Sequence, residues 1–289
     1  MTITFTLSLK KMTRCDLFVL PISDDTAKTA TAHLDKETSQ TIKHVLKKSF
    51  EISSVLGTSF LSCVGSSTIL YTPSSPSLNH LLINAGFKMA NKTVTKETDW
   101  RAMGGTVGHA LHHYRPRSVT IDVSSFTCSP DVIQQWVEGI LLGAYRFTDY
   151  KTKKKPLPKI DVTLLVKTLS PPLREALSTG ERFAHATNRA RDWATMPAND
   201  LNPETFVTIA KKALKGSGVS VSVIDGAAAK KRGMNALLGV GKGSAIPPRL
   251  LVMKYNITRN DRPISLVGKG VTFDTGGISL KPSKGMSDM

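Results

Sequence analysis

The chain has 289 residues, of which 40% are hydrophobic and 6% aromatic, and its formal net charge is +17. A chain of this length and ordinary globular composition accommodates about two domains. No continuous apolar run reaches the roughly 18 residues that a membrane-spanning helix requires. We therefore expect a soluble α/β-type globular protein and no membrane partner.

The positive charge is unevenly distributed along the chain. Residues 1–150 hold 15 Lys and Arg against 12 Asp and Glu, whereas residues 151–289 hold 24 against 10. Clustered basic residues are typical of nucleic-acid surfaces, but acids elsewhere in a longer protein would balance them equally well. The densest run, Lys151–Lys159, contains two prolines and no aromatic residue that could stack on bases. We therefore predict a solvated loop there, and nucleic-acid binding stays an alternative.

The first half of the chain alternates strand and helix patterns. Ser129 precedes Pro130 as the predicted cap of the second helix, and the Pro- and Ser-rich segment Thr72–Ser77 is predicted to be a loop. This alternation predicts a largely parallel α/β sheet. The predicted strands are Thr2–Ser8, Asp16–Pro21, Ser59–Val64, Ser67–Tyr71, His80–Asn84 and Ser118–Val123, and the predicted helices are Asp99–Tyr114 and Ser129–Phe147.

The amino terminus admits a second interpretation. The first fifteen residues contain no acids and include Lys10, Lys11 and Arg14, as a targeting segment does. The polar and apolar alternation of Thr2–Ser8 is typical of a strand and not of an amphipathic helix. We therefore favour a strand and a cytoplasmic location.

Cysteine and histidine patterns do not indicate a metal site. Cys15, Cys63 and Cys128 are widely spaced and odd in number, so we predict reduced thiols, as in a cytosolic protein. His109, His112 and His113 have helical spacing, but a zinc-peptidase helix needs Glu directly after its first His, where Ala110 stands. A solvated helix face is therefore the prediction for these histidines and for the neighbouring His113.

The second half of the chain begins with the strand pattern Asp161–Val166 and a proline-rich boundary near residue 170. We predict an amino-terminal domain over 1–170 and a second α/β domain over 171–289, preceded by a linking helix at 173–196. Asn202 and Pro203 predict a capped helix over Pro203–Leu214. The remaining predicted elements are the strands Val219–Ile224, Leu250–Tyr255 and Pro263–Val267 and the short helix Ala227–Arg232.

The segment Val267–Pro282 carries the chemistry of the chain. Glycines on both sides of Lys269 allow a sharp turn after the predicted strand, and a strand end is a usual active-site position in an α/β sheet. Asp274 is a hard oxygen donor that can bridge two divalent ions, and Lys269 can ligate a metal as its neutral amine. The ammonium of Lys281 can face a developing oxyanion. On spacing alone, a tight turn with a solvated lysine explains Gly268–Gly270 equally well.

The complete string is far more specific than its parts. It resembles the signature of the leucyl aminopeptidase family, the cytosolic di-metal exopeptidases, at Val267–Gly270, Thr272–Asp274, Gly276–Ile278 and Leu280–Pro282. The resemblance extends to Trp136–Lys151, Arg191–Asp200 and Gly233–Arg249.

The resemblance implies an amino-terminal macro-like α/β domain followed by the opening part of an α/β aminopeptidase catalytic domain. It also implies that Lys269 and Asp274 are metal ligands, that Lys281 is the catalytic lysine and that Met289 borders the substrate side-chain pocket. The implied cofactors are two divalent ions per subunit, Mn²⁺ or Zn²⁺. Peptides with a leucine-type amino terminus are the implied substrates, and a homo-hexamer is the implied assembly.

The family pattern also includes residues that this chain does not contain. In the family an Asp follows a few residues after the position of Met289, and then the segment Asn-Thr-Asp-Ala-Glu-Gly-Arg supplies two carboxylate ligands and an arginine. These residues do not occur in the 289-residue chain. One Asp and one Lys would leave two ions undercoordinated, because such ions take roughly four to six ligands. We therefore predict that this chain is inactive alone. The alternative is a non-catalytic pseudoenzyme or a DNA-binding relative.

Overall fold

The structure is a computed structural model that describes residues 3–9, 17–22, 59–64, 67–75, 78–84, 100–124, 128–255 and 262–286. The chain divides into two compact units, residues 1–191 and residues 192–289. The predicted linking helix is present as a helix over Pro171–Thr195, and it runs across this division. The two units are described separately below.

The first unit is built on a seven-stranded sheet. The strands are β1 (Ile3–Ser8), β2 (Leu17–Ile22), β3 (Ser59–Val64), β4 (Ser67–Ser75), β5 (Leu78–Asn84), β6 (Ser118–Asp122) and β7 (Ile160–Leu165). Their order across the sheet is β1-β7-β6-β2-β5-β4-β3. The five strands from β1 to β5 in this order run parallel, whereas β4 is antiparallel to β5 and β3 is antiparallel to β4. The prediction of a largely parallel α/β sheet is confirmed.

The predicted loop at Thr72–Ser77 is wrong over Thr72–Ser75, because β4 continues to Ser75, and residues 76–77 lie outside the described residues. Pairing of β4 with β3 ends at Tyr71, whereas pairing with β5 continues as far as Ser75 opposite Leu78. Within the described residues, β4 is therefore paired on one side only at Pro73, and a residue without an N–H is tolerated at such a position. Proline and serine content indicated a loop, but the antiparallel partner β5 holds the segment extended.

Three helices accompany this sheet among the described residues: α1 (Trp100–Tyr114), α2 (Pro130–Gly143) and α3 (Pro171–Thr195). The predicted cap of α2 is confirmed, since Ser129 Oγ accepts a hydrogen bond from the Val132 N–H at 3.4 Å. The helix ends at Gly143 and not at the predicted Phe147. Ala144 is the C-cap of α2, and its N–H donates to Ile140 O.

The helices α1 and α2 approach so closely that glycines form their contact surface. A Cβ placed on Gly139 of α2 would lie 2.1 Å from Arg101 O, and one on Gly143 would lie 2.1 Å from Gly105 O. On α1, a Cβ at Gly108 would lie 2.2 Å from Ile140 O. Real Cβ atoms do not occupy such positions, so backbone-to-backbone packing here requires glycine on both helices.

The core of the first unit lies between this helix pair and the sheet. Trp136 is fully buried in α2 and its ring centroid lies 6.2 Å from that of Trp100. The buried carboxylate of Glu138 accepts from Arg101 Nε and Gln134 Nε2, each at 2.7 Å, so it is compensated by a charge and by an amide. The other large side chains that are fully buried among the described residues are Leu111, Ile121, Ile133, Ile140, Leu141 and Ile160.

The prediction of a solvated helix face is wrong for His112, which is half-buried. Its Nε2 lies 2.8 Å from Ala144 O and forms a hydrogen bond to the end of α2. Partial burial lowers the pKa of His112, because it disfavours the charged imidazolium. His109 is exposed, as predicted. Among the described residues there is no group of three His, Cys, Asp or Glu that could hold a metal ion.

Cys128 is a free, half-buried thiol packed against the core. Burial raises its pKa to about 11.

Because the thiolate is the nucleophile, we expect Cys128 to be alkylated by iodoacetamide at pH 8 at least tenfold more slowly than in the urea-unfolded chain. The rate should still be rising between pH 9 and pH 11, when followed by mass spectrometry of the Cys128 peptide. A native rate equal to the unfolded one would contradict this. Cys15 and the side chain of Cys63 lie outside the described residues.

The second unit contains three helices and two strands among its described residues beyond Thr195. The predicted capping of α4 is confirmed: Asn202 Oδ1 accepts from Glu204 N and Thr205 N, each at 3.0 Å, and Thr205 Oγ1 accepts from Asn202 N at 2.9 Å. The strands β8 and β9 pair antiparallel. The elements are α4 (Pro203–Leu214), β8 (Ser220–Ile224), α5 (Gly226–Lys231), α6 (Asn235–Val240) and β9 (Leu250–Lys254).

The predicted strand at Pro263–Val267 is wrong in this structure. Residues 262–271 have no regular secondary structure, and Ile264 and Val267 are 90% and 97% exposed. An apolar run forms a strand only where another strand pairs with its backbone N–H and C=O groups. No strand in the described part of the chain pairs with this run. The basic run at 151–155 is exposed throughout, as the prediction of a solvated loop requires. Within the described residues no helix is both long and apolar enough to cross a membrane.

Candidate functional site

Asp274 and Lys281 are brought together by a tight turn. Lys281 Nζ donates to Asp274 Oδ2 at 3.1 Å, and the Gly276 N–H donates to Asp274 Oδ1 at 2.9 Å. The Lys281 N–H closes the loop by donating to Thr275 O at 2.8 Å. Both oxygens of one carboxylate therefore have donors supplied from within eight residues of chain.

Two consecutive glycines make this turn possible. Gly276 and Gly277 have φ values of +91° and +67°, a region that side-chain-bearing residues rarely adopt. A Cβ on Gly276 would also lie 2.3 Å from Ser279 O. The hydrogen bond from Gly276 to Asp274 was not predicted, although an Asp two residues before a Gly is a signal for it.

The contacts of the turn favour the ionised form of Asp274. Its pKa is lowered, first by the Gly276 N–H, next by the hydrogen bond and the charge of Lys281, and least by the charge of Lys269. The carboxylate is solvent-exposed, so screening by water and salt weakens these effects. Asp274 is nevertheless fully ionised at neutral pH and able to act as an oxygen donor.

We expect this pKa to respond to Lys281 specifically. In a carboxyl-carbon NMR titration, Lys281→Gln should move the Asp274 midpoint upward towards its ordinary value, because both a donor and a charge are lost. Lys284→Gln is the matched control, since it removes a nearby exposed lysine that is not among the groups lowering the Asp274 pKa. Equal shifts in the two variants would show that overall charge, and not the contact, sets this pKa.

The other two predicted site residues differ in how far the structure describes them. Lys269 is exposed, and its charge adds to those that lower the Asp274 pKa. Met289 lies outside the described residues. The structure thus joins Asp274 to Lys281 and leaves Lys269 on the irregular segment before them.

The residues present fit only part of a two-ion centre. Asp274 supplies one carboxylate, and the described residues hold no group of three His, Cys, Asp or Glu. In this structure the two Asp274 oxygens accept from Gly276 and Lys281. Two divalent ions need several further oxygen or nitrogen donors, so the described donor set is incomplete.

Comparison with known proteins assigns both halves of the chain to one family. The catalytic domain of the cytosol aminopeptidase family matches residues 188–289, and the amino-terminal domain of the same family matches residues 19–154. A probable cytosol aminopeptidase of Rhizobium johnstonii is 41% identical over 198 residues, covering 66% of this chain and 39% of that protein. One from Agrobacterium fabrum is 41% identical over 225 residues, covering 75% of this chain and 44% of that protein. The chain thus spans less than half the length of these relatives.

Solved structures agree with this assignment. A bottromycin maturation enzyme, BotP, in complex with Mn has 26% identity and a TM-score of 0.65, covering 93% of this chain and 51% of that one. A cytosol aminopeptidase from Coxiella burnetii has a TM-score of 0.67 at 20% identity, covering 99% of this chain and 53% of that one, and this likeness concerns the fold alone. The α/β fold, the two family domains and the relatives agree: this chain belongs to the cytosol aminopeptidase family.

Proposed function

We propose that this chain is the amino-terminal part of a metal-dependent aminopeptidase that releases amino-terminal residues, with a preference for leucine, from peptides. The observation that carries the proposal is the Asp274–Lys281 turn, which lies within the region matched by the catalytic domain of the family. An amino-terminal α/β domain over residues 1–170 and a catalytic domain from residue 171 are part of the same proposal.

Each site residue has a proposed role that its chemistry supports. Asp274 and Lys269 are the metal ligands that this chain contributes, and Met289 borders the substrate pocket. Lys281 stabilises the negative oxygen that develops on the peptide carbonyl, since it carries an ammonium beside the metal-ligating carboxylate. Two divalent ions, manganese or zinc, are the proposed cofactors of the complete protein, which we place in the cytoplasm as a homo-hexamer.

The incomplete donor set implies that the 289 residues do not catalyse the reaction alone. The test uses a chimera in which residues 1–289 are followed by the part of the Agrobacterium fabrum relative that lies beyond its matched region. We propose that this part contributes the remaining metal donors. We expect manganese-dependent hydrolysis of leucine p-nitroanilide by the chimera and none by the 289-residue chain. Lys281→Ala in the chimera should lower kcat by about 100-fold or more with little change in KM, because it removes an interaction made to the developing oxyanion.

Lys284→Ala is the matched control and should retain the activity of the chimera. An inactive, folded chimera would refute the enzyme proposal and favour the non-catalytic alternative. Turnover by the 289-residue chain that disappears with Lys281→Ala would refute its predicted inactivity. Nucleic-acid binding stays the second candidate, favoured only by the exposed basic run at residues 151–155.

A further inference from the structure

One face of α3 packs along α2, and its character changes partway along the helix. Every residue of α3 is described, and its buried residues are spaced three or four apart, as on one side of a helix: Leu173, Ala176, Gly180 and Ala184. A Cβ placed on Gly180 would lie 2.8 Å from Gln134 O of α2, so the two backbones are in close contact there. Burial on this face ends at Ala184, although the helix continues to Thr195.

Polar side chains continue the same face beyond Ala184. Asn188 and Arg191 follow it at helical spacings of four and three residues. Asn188 Nδ2 donates to Leu141 O at 3.0 Å, and Arg191 Nη1 donates to Leu142 O at 3.1 Å. Arg191 Nη1 also donates to Asn188 Oδ1 at 3.2 Å. The two side chains therefore form one network on the last turn of α2. We call Asn188 and Arg191 the polar clamp.

The carboxyl end of α2 requires donors from elsewhere. The last carbonyls of a helix have no N–H partner within the helix, and this end of the helix dipole is negative. α2 has no basic residue in its own last turn. Arg191 of α3 brings a positive charge to this end, and its guanidinium carbon lies 5.4 Å from the centroid of the Tyr145 ring. His112 of α1 donates to Ala144 O at 2.8 Å. Two other helices thus cap α2.

The polar clamp joins residues from both family matches. Leu141 and Leu142 lie within the match to the amino-terminal domain, and the match to the catalytic domain begins at residue 188. All of these residues, as far as Arg191, nevertheless belong to the first compact unit. The first residues of the catalytic-domain match are therefore held by the amino-terminal domain.

We infer that the polar clamp locks the carboxyl-terminal half of α3 onto the first unit, and that Arg191 is also the cation that stabilises the end of α2. The clamp keeps residues 185–191 helical and attached where burial has ended. Asn188 and Arg191 are thus positioning residues, since they fix the place at which α3 leaves the first unit. The inference concerns contacts within that unit and does not rest on the proposed function.

Hydrogen–deuterium exchange of the 289-residue protein tests the clamp. Amides of residues 185–191 should exchange at least fivefold faster in Arg191→Met and in Asn188→Ala than in the parent, because each change removes a donor to α2. Amides of α1 should keep their parental rates. Combining the two changes should raise the rate by less than the product of the single effects, because the two side chains share one network.

Arg189→Met is the matched control. Arg189 is exposed and lies two residues before Arg191, roughly 160° away around the helix, so its loss should change the exchange of residues 185–191 by less than twofold. Arg191→Lys keeps a charge near the end of α2 and should exchange more slowly than Arg191→Met.

Four results would overturn the lock: unprotected amides at residues 185–191 in the parent, equal effects of Arg189→Met and Arg191→Met, single effects that multiply fully, or an equally large rise in α1. Equal exchange in Arg191→Lys and Arg191→Met would overturn the role of the charge.

Discussion

Gly139→Ala should destabilise the first unit by about 3 kcal/mol, at the upper end of the usual cost of overpacking. The added methyl group would lie 2.1 Å from Arg101 O and 2.8 Å from Gly105 N, and both are backbone atoms of α1. A side chain can rotate away from such a clash, but a helix backbone can only move as a whole. Urea unfolding followed by far-UV circular dichroism measures the loss.

Gly105→Ala is the matched control on the opposing helix. Its added methyl group would lie 3.8 Å from Gly139 O, which is an ordinary contact distance. Alanine is favoured over glycine inside a helix by roughly 1 kcal/mol, so this variant should unfold at the same urea concentration as the parent or a slightly higher one. If the two variants lost equal stability, close backbone packing of α1 on α2 would be refuted.

Trp136→Ala should have an effect of similar or larger size, about 3–5 kcal/mol, because it removes the largest fully buried side chain and leaves a cavity. Trp136 lies in α2 beside the ring of Trp100. The free energy of urea unfolding is again the measurement. A loss below about 1 kcal/mol would show that the core collapses around the site.

Trp136→Phe separates packing from hydrogen bonding at the same position. Trp136 Nε1 is buried and has no hydrogen-bond partner among the described residues. Phenylalanine therefore removes ring volume without breaking a hydrogen bond, and it also removes a buried donor that is not satisfied. We expect Phe to cost less than half as much as Ala, whereas equal losses would mean that the indole N–H is essential.

The sequence predicts most of the elements whose signals are local. Ser129 and Asn202 each precede a proline and cap a helix, and both caps are present because a short polar side chain meets free N–H groups within its own first turn. The alternation of strands with helices predicts the parallel sheet, because each strand or helix pattern can be read from its own segment of the chain.

Two predictions fail where pairing with another strand, and not composition, decides the structure. Thr72–Ser77 has the composition of a loop, but pairing with β5 makes most of it a strand. Pro263–Val267 has the composition of a buried strand, but no described strand pairs with it. Composition reports what a segment can form, whereas pairing decides what it does form.

The candidate site is predicted in part. Residue identity and spacing indicate Asp274 and Lys281 as site residues, and their contact at 3.1 Å follows from a glycine turn that the sequence also contains. The bond from Gly276 to Asp274 depends on a positive φ value, which spacing alone does not specify. The donors that complete a two-ion centre are not predicted by local pattern, since a metal site gathers ligands from several segments.

The order of strands in the first sheet constrains how the chain folds during synthesis. Among the described strands, β1 lies at an edge of the sheet and pairs with β7 alone. The Thr4 hydroxyl donates to Ile160 O, 156 positions further along the sequence. Among the described strands of this sheet, β1 comes first in the chain and β7 comes last, so β1 finds its neighbour only after the others have emerged. Such long-range pairing is slow because a large loop must close first. Residues 3–8 are therefore the segment of this sheet that must stay unpaired for longest in the growing chain, when a chaperone can reach it.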